Sequence, residues 1–150
     1  MTRRRASQGF TYLTAIFAVA LIGLGLMLAG EAWRTAMQRE REAQLLYIGN
    51  QYRSAIGRYY RGGPAQYPRS LADLLKDARQ AGTARYLRKL YPDPVTGADN
   101  WGLVKTPGGD IMGVYSLSSA TPFKTFGFAE GNDFADAKTY ADWKFVYQPR

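Results

Sequence analysis

Residues 1–30, "MTRRRASQGFTYLTAIFAVALIGLGLMLAG", decide how the rest of the chain is read. Arg3, Arg4 and Arg5 stand before a Gly9-Phe10 step, and no charged residue follows until Glu31. From Phe10 to Gly30 nearly every residue is apolar or small, and about 20 such residues suffice to cross the hydrocarbon layer of a bilayer. The arginines on the N-terminal flank predict, by the positive-inside bias, a cytoplasmic N-terminus and a C-terminal bulk on the far side. A cleaved secretory signal is the competing reading, with Ala29-Gly30 and Ala32 as its cleavage region. An uncleaved single-pass anchor is a third.

The helical pattern does not stop at Gly30. Through residues 31–60, Ala32, Trp33, Ala36, Met37, Ala43, Leu46, Tyr52, Ile56 and Tyr59 recur largely on one side at three-to-four spacing. Arg39, Glu40, Arg41 and Glu42 are expected as a charged belt just outside the membrane. No proline interrupts the chain before Pro64, so one rod from Phe10 to Tyr60 is expected, roughly 75 Å long at 1.5 Å per residue. Gly62, Gly63 and Pro64 end it.

The order of basic leader, Gly9, Phe10, Thr11 and apolar helix resembles the N-terminus of type IV pilins and type II secretion pseudopilins. That resemblance implies cleavage between Gly9 and Phe10 by a prepilin peptidase, methylation of Phe10, and a single pass through the inner membrane with a periplasmic C-terminal domain. It further implies a homo- or hetero-oligomeric filament built with other pseudopilins or pilins on an inner-membrane assembly platform. The family carries Glu at the fifth residue after the cut, where this chain has Thr14. A glutamate there would neutralise an amine buried in an apolar filament core, because an unpaired buried ion is costly. A hydroxyl cannot, and among pseudopilins the tip-like subunit also lacks this glutamate. The divisions expected are a leader over 1–9, a membrane and assembly half-helix over 10–30, a periplasmic half-helix over 31–61 and a small head over 62–150.

In the head, Ser70 with Asp73 three residues on opens an expected short amphipathic helix through Leu71, Leu74 and Leu75 to Gly82. "NWGLVKT" and "IMGVYSLSS" read as strands flanking a Pro107-Gly108-Gly109-Asp110 turn, and "WKFVYQ" as a third strand. The fold class expected is α+β: a long N-terminal helix packed on a small antiparallel sheet, as in pilins. "LYPDPVTGADNWGL" also resembles the Asp-Pro loop leading into the first strand of major pseudopilins.

The chain has 20 Lys+Arg, 12 Asp+Glu, no His and no Cys. Disulfides, thiolate and imidazole metal sites and histidine general-base chemistry are therefore excluded. No catalytic residue is assigned, and no enzyme activity is expected. In major pseudopilins calcium pins a C-terminal loop, and Glu130, Asn132, Asp133, Asp136 and Asp142 are the acidic set that invites the same ion here. Asp133, Asp136 and Asp142 are the proposed carboxylate donors, against the alternative of a solvated acidic loop. Calcium is the one cofactor that the resemblance implies. The basic-aromatic set around Arg53, Arg58, Tyr59, Tyr60, Arg61, Arg85, Tyr86, Arg88 and Lys89 raises nucleic-acid binding. Packing of the tyrosines and solvation of the arginines is the favoured account, so nucleic acid is not expected as a partner. Gly23, Gly25 and Gly30 would let helices approach closely within a bilayer.

Overall fold

A computed structural model describes residues 8–80, 82 and 84–149. Arg3–Arg5 of the expected leader lie outside the described residues. The chain divides into two units, Met1–Gln38 and Arg39–Arg150. One helix, α1 (Gln8–Arg61), begins in the first and ends in the second. The fold is α+β, as the sequence reading expects.

The second unit is built on the end of α1. Its sheet has three antiparallel strands in the order β1 (Gly102–Lys105), β2 (Ile111–Tyr115) and β3 (Phe145–Val146). The 107–110 turn joins β1 to β2 as expected, with Thr106 N–H donating to the Asp110 carbonyl at 2.8 Å. A register shift between Val104 and Lys105 twists the end of this hairpin. The strands are shorter than the apolar runs that predict them.

The core is fully enclosed. Leu45, Tyr52, Ala55, Ile56 and Tyr59 of α1 meet Ile111 and Val114 of β2 and Phe145 of β3. Trp143 lies among Phe128, Phe134 and Tyr140, stacked on Phe134 at 5.5 Å and edge-on to the other two. Such ring pairs add about 0.5–1.5 kcal/mol each beyond burial. Two glycines set the helix-to-sheet spacing. A Cβ at Gly49 would fall 2.4 Å from the Phe145 ring, and one at Gly57 would fall 2.7 Å from Tyr147. Being eight residues apart on one side of α1, they form a groove in which β3 lies against the helix backbone.

The structure corrects three expectations. The amphipathic helix over 70–82 is only a 3-10 turn, Leu71–Leu74. Asp73 does accept the Ser70 N–H at 2.9 Å. The turn cannot propagate, because the Leu74 carbonyl accepts Tyr86 N–H at 2.9 Å and Leu87 N–H at 3.0 Å in place of an amide four residues on. The apolar stripe of α1 is also rotated. Ala43 is exposed and Leu46 half-buried, whereas Glu42 and Leu45 face the core. Nor does the stripe extend back to Trp33 and Met37, which are both exposed. Finally, Glu42 leaves the charged belt altogether, for a reason given below.

Candidate functional site

Among the described residues of the first unit, the candidate site is the apolar surface of α1 itself. Every residue from Phe10 to Gly30 is exposed, among them Phe10, Phe17, Val19 and Leu26. Helices hide such surface against protein or place it in lipid, since leaving it in water forfeits about 25 cal/mol per Å². The helix is long and apolar enough to cross a membrane, and it lies near the N-terminus. Gly23, Gly25 and Gly30 open shallow notches where an added Cβ would meet nothing within 4 Å.

Gly9 and Phe10 fall in the first turns of α1. The Thr14 hydroxyl donates to the Phe10 carbonyl at 2.8 Å, an interaction within one helical turn. Thr14 thus returns its proton to the helix and brings no charge to the Phe10 end. The next carboxylate along, Glu31, faces Arg34 at 3.9 Å with both side chains largely exposed, a pair worth under about 1 kcal/mol.

Among the described residues of the second unit the carboxylates of Glu42, Asp77 and Asp93 are buried, and each is held by donors from the same fold. Glu42 accepts the Tyr140 hydroxyl at 2.8 Å and the backbone N–H of Phe123. Burying a carboxylate is tolerated when its oxygens are met in this way. Two residues away, Glu40 stays outside and accepts from Gln44 at 2.9 Å. No feature of the RERE run distinguishes the two glutamates.

Asp77 accepts a two-pronged contact from Arg79, from Nε at 2.9 Å and from Nη2 at 2.9 Å, with the Tyr86 hydroxyl at 3.1 Å. Those donors, Arg79 first, pull its carboxyl down to about 2. The same guanidinium lies 3.6 Å over the Tyr59 ring and donates to the Tyr59 carbonyl at 2.8 Å, fastening the loop to the end of α1. Asp93 of the Asp-Pro loop is fully buried and accepts the Ser116 hydroxyl at 2.6 Å, the Thr96 hydroxyl at 2.9 Å and Val95 N–H at 2.9 Å. This loop is a folded brace for β2. The sequence marks it as a turn-rich segment with an Asp-Pro step but does not show that Asp93 is buried, and neither Asp77 nor Arg79 carries any local mark.

The acidic loop is drawn toward α1 by a guanidinium. Arg53 of α1 donates to Asn132 Oδ1 at 2.8 Å and to the Glu130 and Gly131 carbonyls. A guanidinium therefore gathers the oxygens of residues 130–132, and desolvation lowers its own pKa. Asp142 is engaged as a cap, accepting Thr139 N–H, the Thr139 hydroxyl and Lys138 N–H at 2.9–3.0 Å. These contacts, the Thr139 N–H foremost, hold it below the usual carboxylate range. Asp133, Asp136 and Asp142 border one open depression of about 270 Å³. Among the described residues no group of three or more His, Cys, Asp or Glu side chains is placed to hold a metal ion.

The basic-aromatic set is largely spent on packing. Tyr59 meets Tyr86 edge-on at 5.7 Å, and Tyr60 packs on Tyr67 and Tyr147. Arg58 donates to the Tyr86 carbonyl at 2.7 Å.

No family model, curated protein or solved structure matches the chain. The form of one long apolar N-terminal helix plus a small antiparallel sheet is compatible with a pilin-like fold.

Proposed function

We propose that this chain is a non-catalytic structural subunit, pseudopilin-like, held in a bilayer by Phe10–Gly30 and assembled through that same segment into a filament of a type II secretion-type system. The observation that carries the reading is the complete exposure of Phe10–Gly30 beside a head whose core is closed without it. A segment with no role beyond export would have no need of the continuous helix that joins it to the core residues Leu45–Tyr59. In this reading the leader is removed after Gly9 by a prepilin peptidase, the new Phe10 amine is methylated, and the head faces the periplasm. The apolar helix exchanges lipid for equivalent helices during assembly, so the net cost of extraction is small enough for a motor to supply. Van der Waals packing at small residues such as Gly23 and Gly25 would replace lipid contact.

Thr14 favours a particular place in such a filament. With its hydroxyl turned to the Phe10 carbonyl and no charge to offer, it suits a subunit that has no incoming amine to neutralise, at a filament end or as a minor component. A minor pilin of a type IV pilus satisfies the same condition.

Intact-mass and N-terminal analysis of the membrane-extracted protein tests the proposal. A methylated Phe10 terminus is the expected result. A retained Met1 supports a simple anchored domain instead, and a cut near Ala32 shows a discarded export signal.

A further inference from the structure

β3 is an edge strand, and a groove of about 810 Å³ runs beside it along α1. Tyr147 N–H donates to the Met112 carbonyl, next to the Val114–Phe145 and Gly113–Val146 pairs. In an antiparallel ladder alternate residues turn both backbone groups toward the partner strand. The Val146 N–H and C=O therefore aim away from β2, on the side where Val146 lines the groove. The opposite wall is the α1 stripe Ser54, Arg58 and Arg61, spaced by one turn each. Arg53, Arg58, Arg61 and Lys144 line the groove against the single carboxylate of Asp133. None of the four cations takes part in an ion pair among the described residues.

We propose that this groove binds an extended, acidic segment of a partner protein, which adds to the open edge of β3 while its carboxylates meet Arg58, Arg61 and Lys144. Strand addition of this kind draws affinity from main-chain hydrogen bonds and selectivity from alternate side chains. An unpaired edge is normally blocked by charge, proline or a covering segment because it recruits other chains. Here the charge lies beside the edge and is four cations to one carboxylate, which selects an occupant of the opposite sign. A second copy of this chain does not supply that occupant. Its carboxylate-rich stretch, 130–142, is committed to its own fold through Arg53, the buried Phe134 and the Asp142 cap. Its N-terminal leader is basic. The partner is therefore a different polypeptide, and the inference holds whether or not the Gly9–Phe10 bond is cut.

The test uses the full-length chain in a nonionic detergent at low salt, with a fluorescein-labelled peptide alternating Glu and Thr as the probe and anisotropy as the readout. The acidic peptide is expected to bind. The Arg61→Glu/Lys144→Glu variant should weaken it by about tenfold or more, and Arg61→Lys/Lys144→Arg should restore it. Methylating alternate backbone amides of the peptide should abolish binding, and hydrogen exchange at the Val146 amide should slow when the unmodified peptide is present. Equal binding of a Lys-Thr peptide, undiminished binding of the methylated peptide, or no binding of the acidic one would each overturn the proposal. The peptide controls are read on the unaltered protein, so they remain decisive even if the charge-reversed variant fails to fold.

Discussion

The two ends of α1 use one backbone conformation for opposite purposes. Between Phe10 and Gly30 the helix carries apolar side chains all round, and every one is exposed. Between Glu42 and Tyr59 it carries a narrow buried stripe flanked by exposed Arg41, Ser54 and Arg58. The first pattern suits an apolar surrounding on every side, the second a helix with one protein-facing side. Gly23 and Gly49 show the same contrast in one residue type. A Cβ at Gly23 would meet nothing, whereas one at Gly49 would strike the Phe145 ring at 2.4 Å. Gly23, Gly25 and Gly30 in the upstream half border open space, whereas Gly49 and Gly57 in the downstream half are already packed against Phe145 and Tyr147.

Four measurements press on that contrast, the strongest effect first. Trp143→Ala should empty the centre of the aromatic cluster and lower head stability by about 3–5 kcal/mol in denaturant unfolding, without changing membrane retention. A shift in both properties would mean the two ends of α1 are not independent. Leu21→Arg should act in the converse way. A charge at the middle of the apolar segment costs about 2.5–3.5 kcal/mol on insertion, so the carbonate-resistant membrane fraction should fall while the head keeps its unfolding midpoint.

Glu42→Ala removes the acceptor shared by Phe123 N–H and the Tyr140 hydroxyl, for an expected loss of roughly 2–3 kcal/mol. Glu40→Ala, two residues earlier on an exposed face, should change stability by less than about 0.5 kcal/mol. Equal effects would contradict the burial that separates these glutamates. The smallest effect is a pH dependence. Asp77 titrates at about 2 in the folded chain against 3.8 for the unpaired group. Because the folded value is the lower one, the stabilisation is present above pH 3.8 and is lost as pH falls toward 2. At about 1.4 kcal/mol per unit the change is on the order of 2 kcal/mol, and Asp77→Asn should flatten that part of the stability curve.

Much of the fold is legible residue by residue. The length of α1 follows from an unbroken periodic run closed by Gly62-Gly63-Pro64, and the β1–β2 hairpin from two apolar runs around Pro107–Asp110. The capping contact of Asp73 with Ser70 is likewise local, yet the helix it announces stops after one turn. Its continuation depends on whether the Leu74 carbonyl stays free, and residues 86 and 87 take that carbonyl from a distance in sequence. The candidate site divides in the same way. Exposure of Phe10–Gly30 can be anticipated from composition, whereas the engagement of Arg53 with residues 130–132 joins positions nearly eighty apart.

Composition alone excluded cysteine and histidine chemistry, and local order determined the long helix, its apolar first half and the hairpin, because each of these rests on neighbours within a few residues. Tertiary structure decided which of two nearly equivalent glutamates is buried, which cation closes the acidic loop and which cations line the groove beside β3. Those outcomes turn on desolvation and hydrogen-bond geometry. Both are properties of where distant segments meet, and a buried carboxylate is affordable only where donors such as Tyr140 and Phe123 happen to converge on it.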